Sequence, residues 1–428
     1  MKSLFLFTLT FFLTLTFQLN AQSIYIHAGQ LIDGVSDSPR ENVTVIVENG
    51  QIRAIQNGFQ TPDDGSQVLD LEDHTLMPGW IDLHVHLENE TSPTRYLDTY
   101  RLNDADIAFQ SAVYAERTLR AGFTTVRDLG GSGVNIALRN AINKGYTLGP
   151  RVITVGKSIA TTGGHADPTN GWKDELMGRP GPKEGVVNGP FEAREAVRQR
   201  YKNGADHIKI TSTGGVLSVA KSGQNPQFLN DELAAIVETA KDYEMHVAAH
   251  AHGEEGMLRA VDAGVLTIEH GTYMSERVMD RMIEKGAYYV PTISAGNFVA
   301  EKAQIDGYYP AIVVPKAIAI GPQITSTFAK AYAYGVPIAF GTDAGVFPHG
   351  ENAKEFGYMV EAGMPAMEVI QSATSIAAKV LGLDSEIGQI SLGYAADLVA
   401  VPGNPLDTME VMERPSFVMK GGEIIIEP

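Results

Sequence analysis

Through the middle of the chain, short apolar runs alternate with longer polar stretches of helical periodicity. Candidate strands are Thr124–Arg127, Arg151–Val155, His207–Ile210, His246–Ala249, Thr267–Glu269, Tyr288–Pro291 and Pro337–Gly341. Asp231–Tyr243 and Glu254–Ala263 read as intervening helices, and Gly264, Gly286 and Gly335 as helix-end glycines before the next strand. Alternating β and α over about 300 residues predicts an α/β fold of the (β/α)8 TIM-barrel kind. A doubly wound open sheet is the alternative. It is disfavoured because no G-x-G-x-x-G turn follows an early strand.

The two ends of the chain follow a different pattern. Val43–Val47, Glu48-Asn49-Gly50 and Gln51–Ile55 form a hairpin signal, with Asn49-Gly50 supplying the positive φ angles of a primed turn. Ala396–Val401 reads as a strand, and Ser416–Lys420, Gly421-Gly422 and Glu423–Ile426 as a second hairpin. Residues 22–76 and 385–428 are therefore expected to form one small β-sandwich, around a barrel at residues 77–384.

Residues 1–21 read as a secretory signal peptide. Lys2 precedes an uncharged run, Leu4–Phe17, and Ala21 offers a small residue at the cut. The run falls short of the ~20 residues of a membrane span. An uncleaved anchor is the alternative, but no stable membrane anchor is expected. The chain has no cysteine, which excludes disulfides, thiolate ligands, a thiol nucleophile and lipid attachment at the cleavage site. Export to a periplasm, an oxidising space, suits such a chain. The net charge of −18, with no Lys/Arg-rich block, argues against a nucleic-acid partner.

Several apolar runs carry, at or near their end, a residue able to bind metal. They are His84 and His86 in Trp80–His86, Lys209 in His207–Ile210, His250 in Val247–His250, His270 in Thr267–His270 and Asp343 in Ala339–Asp343. A parallel barrel delivers functional side chains at strand ends, so the six read as a binuclear metal site. His84 and His86 share one strand face. Without cysteine the donors are His and carboxylate, which suits zinc or manganese. Desolvation lowers the pKa of a strand-borne Lys209, and a neutral amine reacts with carbon dioxide to give a carbamate. That N-carboxylysine is an anion able to bridge two cations. A lysine pointing outward along a helix is the bland alternative. His250 and His270 would serve the second ion. Asp343, with flanking glycines, can ligate and also shuttle the proton of an attacking water.

Other histidines border these motifs. His165 lies in the Gly/Pro-rich stretch Gly163–Pro190, read as a loop over the site, and is placed to donate to an oxyanion. His252 and His349 are candidate substrate contacts. His207 and His246 read as packing residues, and His27 and His74 as surface residues.

The chain resembles the amidohydrolase superfamily, and within it the prolidase-like, imidazolonepropionase-related branch. The resemblance rests on Leu76–Leu87, Gly122–Gly131, Ile208–Ser218, His250–Gly253, Ile268–Gly271, Ala339–Gly350 and Ala395–Val399. It extends from about Ile24 to the C-terminus. It implies a (β/α)8 barrel with a β-sandwich built from both ends, two zinc-like divalent ions, a carboxylated Lys209 and homo-oligomers. Relatives of this branch cleave Xaa-Pro and related dipeptides, N-acyl amino acids or amide-linked toxins. His207 departs from the family's commonly apolar residue and puts no ligand in doubt. A small-molecule amide or dipeptide is the expected substrate. An esterase, lactonase or phosphotriesterase-like activity on the same site, and a non-catalytic periplasmic binding protein, are the alternatives.

Overall fold

A computed structural model describes residues 23–428; the signal-peptide reading of residues 1–21 falls outside them. The first strands are β1 (Ile24–Leu31), β2 (Arg40–Glu48), β3 (Gln51–Asn57) and β4 (Gln67–Pro78). The middle of the chain supplies β5 (Trp80–Val85), β6 (Phe123–Asp128), β7 (Arg151–Thr154), β8 (Ile208–Thr211), β9 (Val247–Ala251), β10 (Thr267–His270) and β11 (Tyr288–Val290). The last strands are β12 (Leu398–Pro402), β13 (Phe417–Lys420) and β14 (Glu423–Ile426).

Both ends of the chain meet in one mixed sheet of order β14-β13-β12-β4-β1-β2-β3. The expected sandwich is thus hydrogen-bonded as a single seven-stranded sheet. The reason is the length of β4. Its first part runs parallel to β1, and its last residues pair antiparallel with β12, from Pro78 opposite Leu398 to His74 opposite Pro402. Both predicted hairpins form, with Asn49 and Gly50 at φ of 54° and 77°, and Gly421 and Gly422 at 56° and 82°. The alternating residues Ile26, Val43, Val45, Leu71, Leu398 and Phe417 form this sheet's own core.

The middle strands form two parallel arcs, β5-β6-β7 and β11-β10-β9-β8. Ile159, just past β7, bridges to Ile210 of β8. Pro337–Gly341, expected as a strand, is instead an extended segment that divides its bonds between two neighbours. Tyr289 donates to the Pro337 carbonyl and receives from Ala339, while Leu83 donates to Phe340 and Asp343 to His84. Helices run between successive strands, and Gly264, Gly286 and Gly335 end three of them in the left-handed region. The helix Glu254–Ala263 has the bounds the sequence indicates.

The base of the first arc is an aromatic plug. Trp80 lies edge-on to Phe356 at 5.1 Å, and Phe356 lies 4.5 Å from Phe340. All three are fully buried. Gly122, at φ of 94°, makes room for it, since a Cβ there would sit 2.6 Å from the Trp80 ring. The plug holds β5 and β6 at fixed height, so the ends of these strands arrive at the opposite face as a rigid set.

Candidate active site

Six predicted donors converge at the C-terminal ends of the parallel strands. His84 is in β5 and His86 just beyond it, Lys209 in β8, His250 in β9, His270 at the end of β10 and Asp343 after the 337–341 segment. The compact part of the group is His84, His270 and Asp343, whose donor atoms lie within 4.8 Å of one another. Asp343 Oδ1 is 3.5 Å from His84 Nε2 and 3.3 Å from His86 Nε2. Lys209 Nζ is 3.5 Å from His84 Nε2. His250 packs edge-on against His270, with ring centroids 4.6 Å apart.

Local backbone geometry turns two of these ligands inward. His270 and Asp343 have φ of 69° and 62°, and Thr292, next to the site, has 55°. These are three of the six non-glycine residues with positive φ among the described residues. Such a conformation costs of order 1–3 kcal/mol each and persists only where the surroundings over-determine it. Here a strand's regular alternation would aim the side chain elsewhere, and the left-handed residue breaks it at the point of use.

Outer hydrogen bonds fix the imidazoles. His84 Nδ1 donates to Glu269 Oε2 at 2.8 Å, and His86 Nδ1 to the Gly130 carbonyl at 2.7 Å. His270 Nδ1 meets Thr292 Oγ1 at 2.8 Å. His84 therefore keeps an Nε2 lone pair toward Asp343, and His86 likewise turns its Nε2 toward that carboxylate. His250 is reversed: its Nε2 donates to the Gly214 carbonyl at 3.0 Å, so Nδ1 is its lone-pair nitrogen.

Burial dominates the electrostatics. It holds His84 down at about 4, and His250 and His270 well below the usual histidine range, so these rings are neutral. Burial pushes Lys209 down to about 8 against the pull of Glu269 and Asp343. For Asp343, burial opposes ionisation, but His84, His86 and Lys209 outweigh it and hold the carboxyl below its usual value. Asp343 Oδ1 is buried and has no hydrogen-bond partner among the described residues. A charged oxygen in that condition, flanked by the Nε2 atoms of two imidazoles, fits a divalent cation.

Glu269 and Arg127, which the sequence reading left without a role, underpin the group. Arg127 is 1% exposed; it donates to Glu269 Oε1 at 2.9 Å and to the Leu83 carbonyl at 2.7 Å. Thr267 Oγ1 also donates to Glu269. Burial opposes the Glu269 charge, but Arg127 and His84 bring the carboxyl down to about 2. A signal was present: an acidic residue inside the apolar run Thr267–His270 needs a buried partner.

The other histidines divide. His165 stacks on His250 at 4.3 Å and lines the cavity. Its backbone N–H is held by Gln227 Oε1, and a Cβ on Gly215 would collide with its ring. Burial drives it down to about 3, so it is a neutral donor. His165 and Ala166 are the cavity-lining residues of the Gly163–Pro190 stretch. His252 also lines the cavity, with Nδ1 on Thr272 Oγ1 at 2.8 Å. His349 does not. Its Nε2 donates to the carbonyls of His86 and Asn89, both at 3.2 Å, which places it behind the ligand strand and not against substrate.

One further buried acid borders the site. Glu355 accepts from the backbone N–H groups of Ile293 and Ser294 at 2.8 and 2.7 Å, capping the helix Ile293–Lys302, which carries Ala295, Gly296 and Val299 into the cavity wall. Burial raises its carboxyl to about 8. Between its ordinary value of 4.5 and about 8 the folded chain keeps a proton that the unfolded chain has released. Stability contributed by this group is therefore present at low pH and lost as pH rises through that window. Glu355→Gln should remove that loss. In melting temperatures measured from pH 5 to 9, the variant should gain on the wild type as pH rises. A constant difference across the series would exclude the titration.

A cavity of about 260 Å³ opens over the donors, near the low end of small-molecule sites (~300–1,000 Å³). Buried neutral imidazoles, an unpartnered carboxylate and a small apolar cavity at the strand ends define a metal-dependent hydrolase. The chain belongs to the amidohydrolase family, whose profile matches residues 75–425. It is 32% identical to the ochratoxinase of Aspergillus niger, over 95% of this chain and 88% of that protein. It is similar to the solved structure of a Xaa-Pro dipeptidase with methionine bound in its active site, at 54% identity and a TM-score of 0.91, covering 94% of this chain and 99% of that one. A prolidase complexed with N-methylphosphonate-L-proline is 29% identical with a TM-score of 0.87, covering 95% and 100%. Family membership makes the protein a hydrolase of carbon–nitrogen bonds.

Proposed function

We propose that this protein is an exported amidohydrolase that holds two divalent ions, with zinc the best fit, and cleaves a dipeptide of the Xaa-Pro type or an N-acyl amino acid. The observation that carries the reading is Asp343 Oδ1, buried without a donor beside His84 and His86 on the floor of a small cavity. His84, His86, Lys209, His250, His270 and Asp343 would hold the ions, with Lys209 carboxylated; burial, which lowers its ammonium to about 8, supports that modification. In this reading the two arcs and the 337–341 segment close as a (β/α)8 barrel spanning residues 77–384. Residues 22–76 and 385–428 form the accessory domain, and residues 1–21 are removed on export to the periplasm. The similarity to a dipeptidase and a prolidase supports the substrate class.

Bound divalent ions supply Lewis acidity at such a site. The chain's own residues do the rest. Asp343, ionised at neutral pH, accepts the proton of the attacking water at a carboxylate oxygen and returns it to the leaving nitrogen. His165, neutral and stacked, donates to the carbonyl oxygen as charge develops there. Glu269 and Thr292 hold His84 and His270 in orientation.

Elemental mass spectrometry of mature protein made with zinc and bicarbonate should find about two ions per chain, as in two-metal hydrolases, and fewer after Lys209→Ala. The loaded protein should then hydrolyse members of a dipeptide and N-acyl amino acid panel. Loaded protein that turned over only esters, lactones or phosphotriesters would move the assignment to those bonds. One ion per chain would rule out the carbamate bridge.

A further inference from the structure

Among the described residues two cationic side chains line the cavity, Lys209 and Arg95, and only Lys209 belongs to the donor group. Arg95 is partly buried in a short helical turn, Arg95–Asp98. Its Nη1 donates to Thr91 Oγ1 at 3.2 Å, and its guanidinium lies over the Tyr96 ring at 5.7 Å. Both contacts are to uncharged groups, so the guanidinium keeps free donors. Tyr96 in turn donates its hydroxyl to the Leu217 carbonyl at 2.9 Å, which fixes the turn against another stretch of the cavity lining. The charge of Arg95 is felt at His165, and also at Tyr309, whose buried hydroxyl has no partner. The rest of the lining includes an aliphatic wall: Val216, Leu217, Val299, Ile320, Ile324 and Val346.

We infer that Arg95 receives the free C-terminal carboxylate of the substrate and thereby selects amino-acid amides with an apolar side chain, which lies on that aliphatic wall. The inference rests on the amide-hydrolase reading above and names its specificity-determining residue. A guanidinium suits the task because its planar donors match a carboxylate. The protein's net charge of −18 makes a local cation more necessary for an anionic substrate. A substrate lacking the carboxylate leaves Arg95 without a partner as the cavity fills, and this is where discrimination arises.

The test uses metal-loaded full-length mature protein and two probes, L-methionine and L-methioninamide, titrated calorimetrically. Wild type should bind the acid more tightly by roughly 10- to 100-fold, the value of one charge-assisted contact. In Arg95→Gln that ratio should collapse toward unity, with metal content unchanged, and Arg95→Lys should restore part of it. The ratio of kcat/KM for methionyl-proline over its C-terminal amide should fall in parallel. Equal binding of acid and amide by wild type, or a preference that survives Arg95→Gln, would overturn the inference while leaving amide hydrolysis standing. An Arg95-dependent preference without turnover of any dipeptide would uphold the carboxylate site and overturn the proposed reaction.

Discussion

Asp343→Asn should lower kcat about a thousandfold, within the ~10²–10⁴-fold range of a lost general acid or base. Asparagine keeps the side-chain shape and one carbonyl oxygen, but it cannot take up a proton near neutral pH. The wild-type carboxyl is held below its ordinary value, chiefly by His84, His86 and Lys209 against burial, so it begins the cycle ionised. Its left-handed backbone and the bond from its own N–H to the His84 carbonyl, at 2.7 Å, do not depend on the side-chain charge. The fold should survive the change. Two readouts separate its roles. Collapse of kcat with metal content retained marks proton transfer, whereas loss of both marks ligation as well. Full turnover in the variant would remove Asp343 from the chemistry altogether.

Glu269→Gln should cost about 3–5 kcal/mol of stability, because removing one partner leaves the Arg127 charge buried and uncompensated. Arg127 is 1% exposed and Glu269 is fully buried, so water cannot take over. The change also loosens His84, whose Nδ1–H loses a charged acceptor, and metal affinity should weaken by about 10–100-fold. Denaturant unfolding with and without added zinc reads both effects. Arg127→Met combined with Glu269→Gln should recover part of the loss, since the pair is removed together. A single variant within ~1 kcal/mol of wild type would show that the pair is not coupled as its burial implies.

The ligands were legible because their type is chemically restricted and each follows an apolar run. The order His84, His86, Lys209, His250, His270, Asp343 depended on nothing finer than strand ends. What the sequence hid was orientation. Glu269 sits beside the ligand His270 on the same strand, where strict alternation would put the two on opposite faces; the left-handed turn at His270 breaks that parity. His349 follows Asp343 closely in sequence, yet the chain turns at Gly345 between them and brings its ring behind β5. The 337–341 segment has strand composition and bonds to both β11 and β5, but these bonds amount to an isolated bridge at Ile338 and not a regular ladder. Arg95 lies in a polar stretch with no periodicity, where no local signal separates a cavity cation from a solvated one.

The pairing of β4 with β12 carries a consequence for biosynthesis. Pro78 and Leu398 face each other although they lie 320 positions apart (398 − 78). At ~5–20 residues per second, the ribosome needs roughly 15–60 s to deliver the partner strand. For that interval the emerging polypeptide carries an open edge along the last residues of β4, with the apolar residues Leu76 and Met77 on it, and such edges recruit other strands. A mature chain cut short before β12 should therefore aggregate on refolding where the full-length mature chain stays soluble, because only the latter covers that edge.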